Sequence, residues 1–418
     1  MADGFLRDPD GRAAILRGMN VANSHKRKPY FGHHQAEDFR RIREVLGMNS
    51  VRLLTEWAAI EPEKGVYDDA YLDELAKRVA WAQEAGLLVI VDMHQDLYGE
   101  GFGGNGAPRW ACDERYYQAF VPREPWFLGA ADPNLLECVE RFYTSEELKA
   151  HFTEAWTRVA TRLRGFTGVL GFDVLNEPLW GKRSLFDFEN VHLVPLYEQV
   201  VTAVRKVEPS WIAFLEPGVN VNLGSGTEIT TFPVDNVAYA PHSYDAKAEA
   251  GEPFDPARRE NVFLHVENLA REARALDAAL WIGEYGAASP AEPTWVDYID
   301  AEYDAAGKVA ASTMFWVYEL LDEPTDNPVV IQVLTRPYPE RVAGDPVSYA
   351  WDETTSTFTL VYKPRRSIKA PTEIVVPEKN FPSGYHVECG GCLFEKGPDR
   401  LRLLTPPPGE PAMVSIRP

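Results

Sequence analysis

The sequence has no long apolar run, and this absence narrows the class of protein. None of its 418 residues belongs to a stretch of about 18 or more apolar residues, so no membrane-spanning helix is predicted. The first residues, MADGFLRDPDGR, lack the apolar core of a signal peptide. The sequence therefore leaves the compartment open between the cytoplasm, for the chain as it stands, and secretion after removal of a leader.

Cysteine is also scarce, with four residues at positions 112, 138, 389 and 392. Cys112 and Cys138 could meet across one long loop, whereas Cys389 and Cys392 form a single Cys-Gly-Gly-Cys pair. A structural zinc site of the usual kind needs a second pair of ligands, which is missing here. We therefore expect free or locally paired thiols, and we predict neither a metal nor another cofactor.

Basic residues are outnumbered by acidic ones, 42 to 63, which gives a formal net charge of -21. A chain this acidic repels phosphate groups, so nucleic acid is excluded as a partner. Hydrophobic residues make up 45% and charged residues 25%, as in an ordinary globular protein with a large core. The 11 tryptophans suit either a sugar-binding cleft or such a core, so their number alone does not decide the function.

Short apolar runs alternate with amphipathic helical runs up to about residue 325. Eight strands are predicted, within 13–21, 50–57, 87–96, 168–178, 211–217, 236–245, 280–286 and 312–319. Helices are predicted at 35–47, 71–86, 145–164, near 193–207 and near 260–276. The strands are apolar along their length, as parallel strands buried on both faces are. The pattern predicts a (β/α)8 TIM barrel over residues 1–325. An open doubly wound sheet is the alternative, but the glycine-rich turn expected after its first strand is missing.

The pattern changes after residue 325, where long helical patterns disappear. Short apolar runs are separated by turns that contain Pro, Gly or Asp; they read VVIQVL, SYAWD, TFTLVYK, TEIVV, YHVEC, RLRLL and AMVSI. This pattern predicts a small antiparallel β-sandwich over residues 326–418. Its expected role is to brace the barrel.

Two glutamates end predicted strands that face each other across such a barrel. Glu177 ends strand four and Glu284 ends strand seven, and the C-terminal ends of barrel strands carry catalytic groups. Retaining cleavage of a glycosidic bond needs two carboxyls roughly 5 Å apart. We therefore predict Glu177 as acid/base and Glu284 as nucleophile. Glu56 and Glu216 also end strands and are interpreted as structural, whereas Glu319 could contact the sugar or cap a loop.

The two carboxyls must differ in protonation for this chemistry. We expect the ionised Glu284 to disfavour ionisation of Glu177 and to keep it an acid near neutral pH. Tyr244 is expected to donate a hydrogen bond to Glu284, and Arg52 to hold it ionised by charge. Once Glu284 is neutralised in a glycosyl-enzyme, Glu177 can act as a base on water.

Polar residues at the strand ends match a known family in chain order. They are Arg52, His94, Asn176-Glu177-Pro178, His242, Tyr244, Glu284 and Trp316. This set resembles glycoside hydrolase family 5, of the clan with catalytic glutamates on strands four and seven. The resemblance implies the same roles for Glu177 and Glu284. It also implies that Asn176 bonds the sugar 2-hydroxyl, that Trp316 lies beneath the sugar, and that His242 and Tyr244 belong to the substrate site.

A narrower resemblance concerns three segments: VDMHQDLYG in strand three, NSHK after strand one and RPYP at the start of the sandwich. They resemble the endoglycoceramidases and related glucosylceramidases of family 5. This implies that Lys26, His94 and Asp96 bind hydroxyls of the terminal sugar, and that a C-terminal sandwich is present. Metal chemistry through His94 with Asp96, or His242 with Glu284, lacks an HExxH or Asp-rich motif and is not predicted.

The loops after strands three and four are rich in apolar and aromatic residues. An apolar rim around the mouth is expected if the aglycone is a lipid, although the loops could instead pack on themselves as lids. We therefore predict a monomeric retaining β-glycosidase of glycosphingolipids that contacts micelles or membrane surfaces transiently. The alternatives are a β-glucosidase or endoglucanase for soluble β-glucosides and, more distantly, a non-catalytic carbohydrate-binding protein.

Overall fold

The computed structural model describes residues 4–22, 26–30, 32–286, 294–321 and 328–418. The chain begins with the short strand β1 (Ala13–Ala14). Eight parallel strands then close into a barrel in chain order, namely β2 (Arg17–Val21), β3 (Ser50–Thr55), β4 (Leu88–Met93), β5 (Val169–Asp173), β6 (Ile212–Leu215), β7 (Val237–Tyr239), β8 (Ala279–Tyr285) and β9 (Ser312–Phe315). The barrel closes where Arg17 of β2 pairs with Thr313 of β9. The predicted TIM barrel is confirmed, with β8 beginning one residue before its predicted range.

The first predicted strand, 13–21, is in fact two strands in two different sheets. Ala13 and Ala14 pair antiparallel with Val342 and Arg341 near the other end of the chain, whereas β2 enters the barrel. Between them, the backbone N–H of Leu16 is bound by the Ser312 hydroxyl oxygen at 2.9 Å. No Pro, Gly or Asp turn separates the two strands, so the sequence does not reveal this change of sheet and the prediction of one strand was wrong.

The helices surround the barrel. They are α1 (Ala36–Glu44), α2 (Trp57–Ile60), α3 (Asp69–Glu84), α4 (Glu114–Ala119), α5 (Pro133–Thr144), α6 (Glu146–Arg162), α7 (Val194–Val204), α8 (Ala246–Glu249), α9 (Arg259–Ala275), α10 (Trp295–Val309) and α11 (Pro328–Leu334). All five predicted helices are present. Helix α5 was not predicted, although its N-cap Asp132 and its first residue Pro133 are standard signals for the start of a helix. Helix α10, between β8 and β9, was not predicted either.

The C-terminal part forms two antiparallel sheets, which confirms the predicted sandwich architecture. Its strands are β10 (Tyr338–Val342), β11 (Gly344–Asp352), β12 (Thr357–Pro364), β13 (Thr372–Val375), β14 (His386–Glu388), β15 (Phe394–Lys396), β16 (Arg400–Leu403) and β17 (Ala412–Arg417). One sheet has the order β1-β10-β13-β16-β15 and the other β11-β12-β17-β14. The run VVIQVL is not a strand, because it lies within α11. The predicted boundary between residues 325 and 326 lies outside the described residues.

Each of the two disulfides joins residues that are close in sequence. Cys112 and Cys138 join the segment after β4 to α5 across 26 residues, so the cross-loop pairing that the sequence left open is present. Cys389 and Cys392 pair with each other near the edge of the sandwich. Among the residues described, no helix is both long enough and apolar enough to cross a membrane.

Helix α10 packs against both the barrel and the sandwich. The Arg17 guanidinium of the barrel lies 3.6 Å from the centre of the Tyr303 ring on α10 and 5.4 Å from that of Tyr338 on β10. Gly307 of α10 faces β11, where a Cβ atom would lie 2.4 Å from the carbonyl oxygen of Tyr349. The two parts therefore meet at a backbone contact that tolerates no side chain.

We expect Gly307→Ala to lower the unfolding free energy by about 1–3 kcal/mol, because the new methyl group forces the Tyr349 backbone away. The thermal midpoint should fall accordingly. Helix propensity alone predicts the opposite sign, a gain of about 1 kcal/mol. Calorimetry of the variant beside Lys308→Ala, an exposed position on the same helix, separates the two effects. A midpoint raised by Gly307→Ala would contradict the packing argument.

Candidate active site

The C-terminal end of the barrel brings two glutamates and a histidine together. Glu177 follows β5, Glu284 lies in β8, and His242 follows β7. One carboxylate oxygen of each glutamate and one ring nitrogen of His242 all lie within 4.8 Å of one another. Residues that are far apart in sequence thus share one pocket, as the closed barrel requires.

Arg52 is the centre of the charge network below this pocket. Its side chain is fully buried on β3, and its guanidinium nitrogens contact four carboxylates: Glu284 Oε1 at 2.5 Å, and Asp92 Oδ1, Asp173 Oδ2 and Glu216 Oε1 at 2.9 Å each. Burial lowers the pKa of Arg52, but the four carboxylates raise it well above its usual value. Three of these carboxyls have the spacing of a metal site, and the Arg52 guanidinium supplies the positive charge there.

His242 lies between the carboxyls. Its Nδ1 is 3.0 Å from Glu177 Oε1 and 3.6 Å from Glu284 Oε2, and its Nε2 is 3.1 Å from Glu216 Oε1. Burial lowers the pKa of His242, but Glu216 and Glu284, together with the hydrogen bond to Glu177, raise it well above its usual value. The ring is therefore an imidazolium near neutral pH, and its Nδ1–H donates a hydrogen bond to Glu177 Oε1.

The expected order of the two carboxyl pKa values is wrong. Burial raises the pKa of Glu177, but the hydrogen bond and charge of His242, helped by Lys26 and Arg52, bring it below its ordinary value. Burial raises the pKa of Glu284, and the charges of His242 and Arg52 do not fully offset this. The order differs because the imidazolium of His242, which the prediction left out, lies between the two glutamates.

Glu284 is held at both oxygens. Arg52 contacts Oε1, and the Tyr244 hydroxyl donates a hydrogen bond of 2.8 Å to Oε2. Both contacts were expected from the sequence. They fix the orientation of the carboxylate and favour its charged form.

A second group of predicted residues lies on one side of the pair. Lys26 Nζ is 2.6 Å from Asp96 Oδ2 and lies 4.5 Å from the centre of the Trp316 ring. The His94 ring stacks on Trp316 at 5.4 Å, with an angle of 9° between the planes. Its Nδ1 lies 2.8 Å from Asp92 Oδ2. Burial and the charges of Lys26 and Arg52 bring the pKa of His94 well below its usual value, so this ring is neutral.

The residues around Asn176 join the two groups. Asn176 Oδ1 accepts a hydrogen bond of 2.8 Å from Arg52, and its Nδ2 donates to the Gln95 carbonyl oxygen at 3.0 Å. Gln95 Nε2 returns two bonds of 2.8 Å to the carbonyl oxygens of Asn176 and Glu177. Direct contacts thus connect all ten predicted site residues into one network at this end of the barrel, in part through Asp92. Glu319 instead pairs with buried His34 at 3.3 Å.

Three residues that contact the pair were not predicted as site residues. Gln95 holds the backbone around Glu177, which has a left-handed φ of 44°, a strained conformation for a non-glycine residue. Glu216 accepts the Glu177 backbone N–H at 2.8 Å, and its position before Pro217 at a strand end was a usable signal. Asn222 Nδ2 donates a hydrogen bond of 2.9 Å to Glu177 Oε1. Asn222 lies in an irregular turn, where no sequence motif points to it.

Two carboxyls this close at the mouth of a TIM barrel define a glycoside hydrolase, because cleavage of a glycosidic bond uses such a pair. Residues 8–320 match the family described as "Cellulase (glycosyl hydrolase family 5)". Residues 336–416 match "Glycoside hydrolase family 5 C-terminal domain". The chain belongs to glycoside hydrolase family 5, a retaining family of clan A.

Its relatives within the family include enzymes named for glycolipids. The chain is 28% identical to endoglycoceramidase I of Rhodococcus hoagii over 446 residues, which cover 97% of this chain and 85% of that protein. It is 28% identical to a glucosylceramidase of Rhizopus delemar over 42% of this chain and 34% of that protein. Among solved structures, endo-glycoceramidase II from Rhodococcus sp. in complex with ganglioside GM3 matches with a TM-score of 0.86 and 30% identity, covering 99% of both chains.

We expect Tyr244→Phe to move the acidic limb of the kcat/KM profile to higher pH. A reaction that needs ionised Glu284 slows as the pH falls through the pKa of this group, which is already raised above 4.5. Loss of the hydroxyl donor disfavours the anion and raises that pKa further. Tyr239→Phe, which removes a hydroxyl bound to Glu272, is the matched control. A limb that stays in place or moves down would contradict this reading.

Proposed function

We propose that this family 5 enzyme hydrolyses the β-glycosidic bond between the sugar and the lipid of glycosphingolipids, with Glu284 as nucleophile and Glu177 as acid/base. The observation that carries the mechanism is the approach of the two carboxylates to within 4.8 Å. Retaining enzymes hold their carboxyls at about 5 Å, whereas inverting enzymes need room for a water molecule between them.

In the first step, Glu284 attacks the anomeric carbon while Glu177 protonates the glycosidic oxygen. The bond between that carbon and oxygen breaks, an ester forms between the sugar and Glu284, and the lipid alcohol leaves with the proton. In the second step, Glu177 takes a proton from water, the resulting hydroxide attacks the anomeric carbon, and Glu284 is released as a carboxylate.

His242 and Glu177 form a hydrogen-bonded pair of titrating groups. His242 Nδ1 lies 3.0 Å from Glu177 Oε1, and the pKa of His242 is raised by its carboxylate neighbours while that of Glu177 is lowered by His242. Because the two groups are coupled, the pair titrates as a unit. The proton of the first step is carried by Glu177, and the charge of His242 governs how readily Glu177 takes that proton up.

The residues on the Lys26 side of the pair are assigned to the sugar. Asp96 and the neutral His94 can bond hydroxyl groups, and His94 Nε2 is buried without a hydrogen-bond partner among the described residues. Trp316 offers a flat face for a sugar ring, and Asn176 lies close enough to the pair to reach the 2-hydroxyl. These roles follow the family pattern and are supported by the contacts that connect these residues to one another and, through Asp92 and Arg52, to Glu284.

The assignment of a lipid aglycone is supported by apolar side chains on the loops of the barrel mouth. Seven large apolar residues are exposed on loops that follow β4, β5 and β6: Val121, Trp126, Leu128, Leu185, Phe186, Val191 and Leu223. Exposed apolar side chains that group into one patch mark contacts with lipids or proteins. We propose that these loops contact the lipid and, transiently, the micelle or membrane that carries it. The expected monomeric state remains a prediction.

The mechanism is tested with two variants and two substrates. Glu284→Gln should lower kcat/KM for every β-glycoside by about a thousandfold or more, because the nucleophile is lost. Glu177→Ala should slow an alkyl β-glycoside about 100-fold or more, but a dinitrophenyl β-glycoside much less in its first step, because that leaving group needs little acid help. Glu252→Gln, at an exposed position, is the control. Full turnover by Glu284→Gln would overturn the mechanism.

The substrate class is tested by comparing glucosylceramide, a ganglioside and cellulose chains. We expect hydrolysis of at least one glycolipid, and activity confined to cellulose chains would reject the lipid assignment in favour of a soluble β-glucoside. Phe186→Ser removes a side chain that is 77% exposed, so it should lower activity on glycolipid in vesicles about tenfold and leave a soluble aryl glycoside unaffected. Met413→Ser, 60% exposed on the sandwich, is the matched control. If Phe186→Ser lowered activity on the vesicle glycolipid and on the soluble aryl glycoside equally, the proposed contact of Phe186 with lipid would be contradicted.

A further inference from the structure

Asn222 is buried beside the two glutamates, in the short 3-10 turn Val219–Leu223 that follows β6. Its Nδ2 donates to Glu177 Oε1 at 2.9 Å, and its Oδ1 accepts the backbone N–H of His242 at 3.2 Å. Its carbonyl oxygen accepts the backbone N–H of Tyr244 at 3.1 Å. One side chain therefore links the loop of Glu177 to the loop that carries His242 and Tyr244.

The orientation of the Asn222 amide is fixed by its neighbours. A backbone N–H can only donate, so the amide oxygen must face His242 N, and the NH2 group must then face Glu177. At Glu177 Oε1, Asn222 therefore acts only as a donor. It supports a lone pair on that oxygen and opposes a proton there.

Two donors converge on this single oxygen. His242 Nδ1 lies 3.0 Å and Asn222 Nδ2 lies 2.9 Å from Glu177 Oε1. An oxygen that accepts two hydrogen bonds is the poorer site for a proton, so the proton of the neutral carboxyl is directed to Oε2. The side chain is 19% exposed, which leaves room for a substrate to approach it.

We infer that Asn222 is a positioning residue for the acid/base. Together with His242, it commits Oε1 of Glu177 to accepting hydrogen bonds, so that Oε2 delivers the proton to the glycosidic oxygen and later takes one from water. This inference rests on the proposed role of Glu177. The backbone contacts from Gln95 and Glu216 hold the left-handed turn at Glu177, but they do not orient the carboxyl group, whereas Asn222 does.

Loss of the Asn222 hydrogen bond should slow only the steps in which Glu177 transfers a proton. A carboxyl that can rotate presents either oxygen to the substrate, so its proton is in the right place for only part of the time. The loss affects leaving groups that depart as poor alkoxides, such as a lipid alcohol, and spares leaving groups that need no proton. The nucleophile is unaffected, since Arg52 and Tyr244 hold Glu284 independently.

The test compares Asn222→Ala and Asn222→Asp with Asn220→Ala in the full-length chain. Asn220 lies in the same turn and bonds only the exposed Ser225 hydroxyl, so it controls for damage to the turn. We expect both Asn222 variants to lower kcat/KM for an octyl β-glycoside about 10- to 100-fold, and for a 2,4-dinitrophenyl β-glycoside less than about threefold. Asn222→Asp keeps the side-chain shape but loses the donor when ionised.

The outcomes separate this inference from the proposed mechanism. If Glu177→Ala shows the leaving-group dependence but the Asn222 variants slow both substrates equally, or slow neither, the positioning role is overturned and the mechanism stands. If Glu177→Ala itself slows both substrates equally, the acid/base assignment fails and the inference falls with it. An Asn220→Ala variant that matches Asn222→Ala would assign the effect to the turn and also overturn the inference.

Discussion

The barrel mouth depends on a single buried guanidinium. Arg52 contacts Asp92, Asp173, Glu216 and Glu284, which come from or adjoin four different strands. Such a group of carboxylates would repel itself if no cation were present, because charges interact strongly in a low-dielectric interior. Even so, burial raises the pKa of Asp92 well above its usual value and that of Glu216 to about 8. The raised pKa values leave part of the network neutral near pH 7, and the imidazolium of His242, 3.1 Å from Glu216, adds to the charge of Arg52.

His242 divides the remaining charge between the two glutamates. As an imidazolium it favours the anion of Glu177 through a direct hydrogen bond and lies farther, at 3.6 Å, from Glu284. The protonation of Glu177 therefore depends on where the His242 ring lies. Buried groups coupled in this way are sensitive to small changes in position, and the hydrogen bonds that Gln95, Asn222 and Glu216 make with Glu177 limit such changes.

The sequence predicted those parts of the molecule that depend on local patterns. Eight apolar runs, each followed by polar residues, defined the barrel and placed Glu177 opposite Glu284. The pKa order of that pair could not be predicted, because it depends on where the His242 ring lies between them. Asn222 escaped prediction because it occupies an irregular turn, where neither periodicity nor a motif singles out one residue. The split of 13–21 between two sheets escaped because only Ile15 and Leu16, and no turn residue, separate β1 from β2.

The pairing of Ala13 and Ala14 with β10 places a strand that precedes the barrel and strands that follow it in the same sheet. During synthesis on the ribosome, β1 emerges long before its partner, which becomes available only after about 325 further residues have been made. The five-stranded sheet therefore cannot be completed until β16 has been made. The sandwich is thus not a detachable module, and a nascent chain stalled before β10 would leave β1 without its partner strand.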